Sequence, residues 1–212
     1  MGRALSRCGV ILAAGESTRM GRDKALLPWP PQTGGNVSSG TFLSAAINLF
    51  APYVDVVLVV AGKNEPNLTP IVYANGASLV VNPEPERGQF SSLQTGLQEV
   101  LNRGRDAALI TLVDRPPVKP ATVEMLDEAF ESATLQWKWC VIPEYQNKHG
   151  HPILAAREMI EAFLKASPLS SARDVVHAHN DKIVYVPVDD PFISTNIDTP
   201  EQYAALPEPA LH

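Results

Sequence analysis

The sequence predicts a single α/β domain, a three-layer αβα sandwich built around a mostly parallel sheet. Three observations carry that prediction. Short apolar runs alternate with helix-period segments along the whole chain. Four of those runs are rich in Val, Ile and Leu and lack polar alternation, as expected of strands covered by helices on both faces. The 212 residues, 45% hydrophobic and 19% charged, suffice for one sizeable core and would be cramped as two domains.

Strands are expected at 9–13, 55–61, 78–81, 107–113, 139–142 and 182–186, each a compact apolar run bounded by polar or turn-forming residues. Helices are expected between them. Residues 41–50 place Phe42, Leu43, Ala46, Ile47 and Phe50 on one face. Residues 91–102 follow a Ser pair suited to capping and precede Gly104, a C-terminal stop signal. Further helices are expected at 120–132, 155–166 and 170–179, with a short one at 200–206. The 19 prolines, roughly twice the usual share, fall mostly in connections, notably the Pro/Gly-rich stretch 30–40. The domain is expected to span 1–206, with 207–212 as a disordered tail.

Composition excludes several classes. With 17 Lys+Arg against 23 Asp+Glu the net charge is −6, which argues against nucleic-acid binding through a basic face. No apolar run approaches the roughly 20 residues of a membrane-spanning helix. The apolar run from Val10, about five residues long, is too short for a signal-peptide core. Cys8 and Cys140 lie far apart in apolar stretches, so buried reduced thiols and a cytoplasmic protein are expected.

The chemistry concentrates after the first strand. Leu12, Ala13, Ala14 and Gly15 lead into a loop closed by Gly21, and Arg19, Arg22 and Lys24 cluster within six positions of an otherwise acidic chain. Small residues let the backbone curl and present N–H groups; with cations beside them they suit a polyphosphate. The loop is neither a P-loop nor a dinucleotide fingerprint: five residues separate Gly15 from Gly21, and Gly15-Glu16-Ser17-Thr18 supplies only the first glycine of Gly-x-Gly-x-x-Gly.

Leu-Ala-Ala-Gly-x-Ser-x-Arg-Met-Gly-x-x-Lys, at 12–24, resembles the signature loop of MobA-like nucleotidyltransferases, which attach CMP or GMP to molybdopterin. The resemblance runs from about residue 8 to 206. It implies a Rossmann-like, nucleotide-diphospho-sugar-transferase-like fold in which the loop, with Leu12, Ala13, Ala14 and Gly15, wraps the triphosphate while Arg19 and Lys24 neutralise its charge. Ala14 stands where guanylyl-transferring members usually carry a second glycine, which favours CTP.

Three further stations follow in the family's order. Residues 82–97 resemble its Asn-Pro…Gly…Ser-Leu-x-x-Gly-Leu segment; Asn82, Gly88 and Ser92 are the expected nucleotide contacts, with helix capping by Ser91 or Ser92 as an alternative or additional role. Asp114-Arg115-Pro116 ends the central apolar run. A carboxylate at the carboxyl end of a buried strand faces the ligand crevice of an open α/β sheet, and Mg²⁺ would reconcile it with a triphosphate. The family's middle residue here is commonly Gln, so Arg115 is a departure. Asn196-Ile197-Asp198-Thr199-Pro200-Glu201 resembles the closing Asp-Ile-Asp-Thr-Pro-Glu; Asp198 is the favoured second Mg²⁺ ligand, and Asn196 replaces the commoner Asp.

Gly150-His151-Pro152 matches a motif near the acceptor, making His151 an acceptor-side residue rather than a ligand of Mg²⁺, which prefers oxygen. His149 and His151 have spacing compatible with a zinc site but no third ligand. His177 and His179 are expected on the surface. At 167–173 only Ala172-Arg173 remains of the family's Gly-Asp-x-Gly-Ala-Arg.

The expected activity is therefore transfer of NMP, most readily CMP from CTP, to a phosphate-bearing acceptor such as molybdopterin. Catalysis would come from Arg19, Lys24 and Asp114, with a molybdoenzyme or its chaperone as the partner implied by the resemblance. A sugar- or alditol-phosphate nucleotidyltransferase and a non-catalytic nucleotide-binding protein are the alternatives. An NAD(P)-dependent oxidoreductase lacks its fingerprint.

Overall fold

The computed structural model describes residues 5–17, 20–31 and 40–206. The expectations at Arg19, across most of the 30–40 stretch and for the 207–212 tail lie outside the described residues.

In chain order the elements are β1 (Arg7–Leu12), β2 (Pro28–Trp29), β3 (Gly40–Thr41), α1 (Phe42–Phe50), β4 (Val56–Ala61), α2 (Glu65–Ala74), β5 (Ser78–Val81) and α3 (Gln89–Asn102). Then come β6 (Ala107–Leu112), α4 (Pro120–Leu135), β7 (Cys140–Tyr145), β8 (Lys148–His149), β9 (Ile153–Ala156), α5 (Arg157–Lys165), α6 (Ala172–Ala178), β10 (Ile183–Pro187) and α7 (Pro200–Ala204). The main sheet runs β10-β7-β9-β6-β1-β4-β5, with β8 added to β7; β2 and β3 form a separate two-stranded ribbon. β1 lies between β4 and β6, parallel to both, and all six of its residues are buried. Only β9, antiparallel to β6 and β7, and the short β8 run against the parallel majority.

Alternate β1 side chains enter two cores, as strand geometry dictates. Ile11 joins Leu43, Phe50, Leu68, Val123 and Phe130 on the α1, α2 and α4 side. Cys8, Val10 and Leu12 join Leu97, Val100, Met159 and Phe163 beneath α3, α5 and α6. The expected αβα layering and buried, unpaired Cys8 and Cys140 are what the structure contains. A third cluster ties the far end of the chain back: Met20, Leu27, Trp29, Phe42 and Ile197 pack together, with Trp29 and Phe42 ring centroids 5.1 Å apart.

Four local readings change. The segment at 153–156 is a strand, so the helix expected from 155 begins at Arg157; Ala155 and Ala156 pair with Ala108 and Ala107 instead. Helix α2 has no counterpart among the expected elements because Pro66 and Pro70 argue against it. Pro66 falls in the first turn, where its missing N–H costs nothing, and Pro70 sits inside the helix. The ribbon strands and β8, two residues each, are below what periodicity can resolve. Finally, α3 starts at Gln89 with Gly88 at its N-cap, so neither Ser91 nor Ser92 caps it; the Ser91 hydroxyl instead donates to the carbonyl of Gly88 at 2.8 Å. At its other end Gly104, at φ +67, completes a Schellman motif: Gly104 N–H bonds Leu101 and Arg105 N–H bonds Val100.

Candidate active site

The crossover from β1 to the ribbon passes over the carboxyl ends of the parallel strands, where open sheets hold their ligands. Ala13 N–H extends the ladder to Val60 at 2.8 Å, and the chain then leaves the sheet. Among the described residues the backbone N–H groups of 14–17 make no hydrogen bond, so they are available to an anion. Ser17 adopts φ +49, a left-handed turn that re-aims the chain, and its hydroxyl accepts the N–H of Lys24 at 3.1 Å. Asn64, which belongs to none of the sequence motifs, staples this loop. Its amide donates to the Ala13 carbonyl at 2.8 Å and to Asp23 Oδ2 at 2.7 Å, while its oxygen accepts the N–H of Gly62 at 3.0 Å. Asp23 in turn caps the one-turn helix Lys24–Leu26.

Lys24 is the centre of the site. Its Nζ lies 2.6 Å from Asp198 Oδ1 and 3.9 Å from Asp114 Oδ2. The two carboxylates come from distant parts of the chain, Asp114 from just past β6 and Asp198 from just before α7. The N–H of buried Ile197 donates to the Asp114 carbonyl at 2.8 Å, which fixes their separation. Asn196, one residue earlier on the other side of Ile197, is exposed. Asp114 Oδ1 is buried without a hydrogen-bond partner among the described residues. Burial pushes the Asp114 carboxyl above its usual range and Asp198 adds to this, against the lowering by Lys24 and Arg115. A buried carboxylate oxygen lacking a donor, facing a second carboxylate across one lysine, fits a hard divalent cation. No described cluster offers three or more His, Cys, Asp or Glu side chains to a metal, so phosphate oxygens and water would complete the shell.

A cavity of about 520 Å³ adjoins this triad and is lined by Leu12, Ala14, Gly15, Gly88, Ser92 and Asp114, among others. Gly88, at φ +92 and ψ −178, holds a conformation open to glycine and turns the chain into α3. The Ser92 hydroxyl accepts from Asn82 Nδ2 at 3.0 Å, which leaves its own hydrogen to point elsewhere. Ala13 and Asn82 stand behind the wall rather than in it. The buried Asn82 amide bonds both Ser91 and Ser92 while its oxygen holds the N–H of Glu84 at 3.0 Å, so it positions the start of α3.

Leu12 and Gln89 also line a second, larger cavity of about 840 Å³, so the two adjoin. Its floor is apolar, with Phe90, Ile110 and Phe163, and its cations are Arg87, Arg115, Lys148 and Arg173. None of its described lining residues is Asp or Glu, in a chain of net charge −6. His151 lies here, with Nδ1 3.3 Å from the Ile110 carbonyl. Burial, with the charge of Arg115, pushes its pKa down to about 4, so its ring is neutral near pH 7. His149 instead stacks on Tyr185 and bonds Glu144 at 2.9 Å, so the two histidines do not share a zinc site. Exposed His177 lines the larger cavity, whereas His179 is half-buried against Trp139 away from it, their rings tilted by 37°.

The same architecture recurs in known proteins. The "Probable molybdenum cofactor guanylyltransferase" of Mycobacterium avium is 26% identical over 208 residues, 97% of this chain and 98% of that one. The "Molybdenum cofactor cytidylyltransferase" of Escherichia coli is 23% identical over 201 residues, 94% of each chain. The crystal structure of Rv0371c from Mycobacterium tuberculosis shares the fold with a TM-score of 0.77, at 24% identity over 96% of this chain and 97% of that one. A manganese complex of Rv0371c gives 0.72, at 22% identity over 94% and 96%. The MobA-like NTP transferase domain matches residues 9–183, which carry the lining of the smaller cavity and all of the larger one's but Tyr185 and Ser194, and the chain belongs to that family.

Proposed function

We propose that the protein is a Mg²⁺-dependent nucleotidyltransferase that moves CMP from CTP to a phosphate-bearing acceptor, molybdopterin, and releases pyrophosphate. The observation that carries this is the convergence of Lys24, Asp114 and Asp198 beside a glycine-loop cleft that adjoins a larger cation-lined cavity. The loop N–H groups and Lys24 bind the triphosphate, joined by Arg19. Gly88 and Ser92 face the nucleoside. Asp114 and Asp198 hold Mg²⁺, a role consistent with the manganese bound by Rv0371c; when bound, the ion supplies the positive charge that lets a triphosphate sit against two carboxylates.

An acceptor phosphate oxygen attacks the α-phosphorus. The new P–O bond forms as the α–β anhydride bond breaks, and the electron pair leaves with pyrophosphate. A phosphate is already anionic near neutral pH, so no protein base is required, and neutral His151 shapes the acceptor side without adding charge. Catalysis is positioning plus charge stabilisation, with Lys24 taking the charge that develops on the leaving group. The two buried, unpaired thiols suit a cytoplasmic setting. A molybdoenzyme or its chaperone is the partner that would receive the product.

CTP rests on Ala14, whose methyl lies in the cleft wall against Gly62. GTP is the second reading, favoured by the name of the M. avium relative. The test is pyrophosphate release with Mg²⁺, molybdopterin and either CTP or GTP. Release with CTP supports the reading, release with GTP alone selects the second, and release with neither overturns both.

A further inference from the structure

Asp114 and Arg115 are consecutive, yet they face different cavities. Asp114 lines the smaller cleft and Arg115 the larger one, and Leu12 and Gln89 border both. Arg115 is also tied to the protein on one side only. Its Nη1 donates to the Ile193 carbonyl at 2.8 Å, and that carbonyl accepts the His151 N–H at 2.9 Å as well. Its Nε is buried without a hydrogen-bond partner among the described residues. A guanidinium carries five N–H donors in a fixed fork; with the buried Nε set aside, the Nη donors not directed at Ile193 remain unspent. The other cations around the cavity are placed differently. Arg87, Lys148 and Arg173 are exposed, and Arg87 is engaged by Glu84.

We infer that Arg115 binds the oxyanion of the acceptor, and that it restricts the acceptor to molecules bearing a phosphate-type group at the reacting end. The inference rests on the nucleotidyltransferase reading above. The geometry supports it in two ways. An arginine whose position is fixed through Ile193 presents its remaining donors as a preformed fork, the arrangement that suits a phosphate in two-point contact. A neutral acceptor, an alcohol for instance, would leave those donors unpaired at the junction and so be rejected. Since the adjoining Asp114 faces the nucleotide cleft, an oxyanion held on Arg115 lies next to the place where the α-phosphorus is attacked.

The experiment titrates inorganic phosphate into protein already saturated with Mg²⁺ and a non-hydrolysable nucleotide analogue, following thermal stability and heat of binding. For Arg115→Gln the phosphate Kd should rise about tenfold or more, an effect of about 1.4 kcal/mol, while the analogue Kd stays within about twofold. Arg115→Lys keeps the charge and loses the fork, and should weaken phosphate several-fold. This second variant decides the matter if the Gln variant does not fold. An unchanged phosphate Kd in a folded variant overturns the assignment, as does wild-type protein that takes up the analogue and no phosphate. Wild-type protein that fails to bind the analogue at all overturns the nucleotidyltransferase reading instead.

Discussion

Replacing Asp114 by asparagine should stabilise the metal-free protein while disabling the enzyme. The carboxylate is mostly buried, its Oδ1 has no hydrogen-bond partner among the described residues, and the nearest described cation, Lys24, stands 3.9 Å away with its closest approach already made to Asp198 at 2.6 Å. Leaving a polar group buried and unsatisfied costs about 1–3 kcal/mol. Asn keeps a polar group there and removes only the charge, so the gain belongs at the low end, about 1 kcal/mol. In a domain of this size that is a rise of about 2–4 °C in Tm. The advantage should shrink in acid. The folded wild-type carboxyl titrates above its unfolded value, so the wild type takes up that proton in the folded state as pH falls and recovers the difference. Activity moves the opposite way: loss of a charged oxygen ligand at the reacting phosphates should lower turnover by at least about 10²-fold. The assays are thermal unfolding in EDTA at pH 7 and pyrophosphate release at saturating Mg²⁺. A variant that melts several degrees lower and turns over normally would make Asp114 a structural residue with no part in metal binding.

Three further outcomes follow from the geometry. A Cβ at Gly150 would overlap the Ile193 carbonyl that anchors both His151 and Arg115, so Gly150→Ala should destabilise by about 3 kcal/mol or more, and wild-type thermal stability would contradict it. Asn82→Ala removes the amide that joins the end of β5 to Ser91 and Ser92. It should cost about 1–3 kcal/mol and weaken nucleotide binding indirectly, by releasing the start of α3, measurable by denaturation and titration side by side. His151 is held neutral with a pKa of about 4, below the usual 6.5. Its contribution to stability is thus present above about pH 6.5 and lost as pH falls towards 4, and His151→Asn should flatten the pH dependence of Tm across that window.

Much of the fold was legible because the central strands leave little choice. β1, β4 and β6 are apolar on both faces and bounded by turn residues, and β5 is delimited by Gly76 and Pro83. The signal failed where local pattern and tertiary context disagree. Ala155 and Ala156 read as the start of a helix, and only pairing with β6 and β7 makes Ile153–Ala156 a strand. The prolines of α2 conceal a helix that packs Leu68 and Val72 into the core. At the site, Lys24, Asp114 and Asp198 could be picked out one by one, since each sits in a motif. Their convergence on a single ammonium group could not, because Asp198 arrives from 174 residues away. Asn64 and the carboxylate-free lining of the larger cavity had no local signature either. The first acts through loop geometry, and the second is assembled from side chains scattered between Leu12 and Ser194.

The central claim, that the loop after β1 binds a nucleoside triphosphate with a divalent cation, is most directly tested by thermal shift with CTP, GTP, ATP and UTP, each with and without Mg²⁺. At 100 times Kd a ligand stabilises by about 2.7 kcal/mol, or about 5–10 °C for a domain of this size. A shift of that order is expected with CTP, or with GTP on the second reading, that depends on Mg²⁺ and is lost in Lys24→Ala. No shift with any nucleotide, or one indifferent to both Mg²⁺ and Lys24, would contradict it.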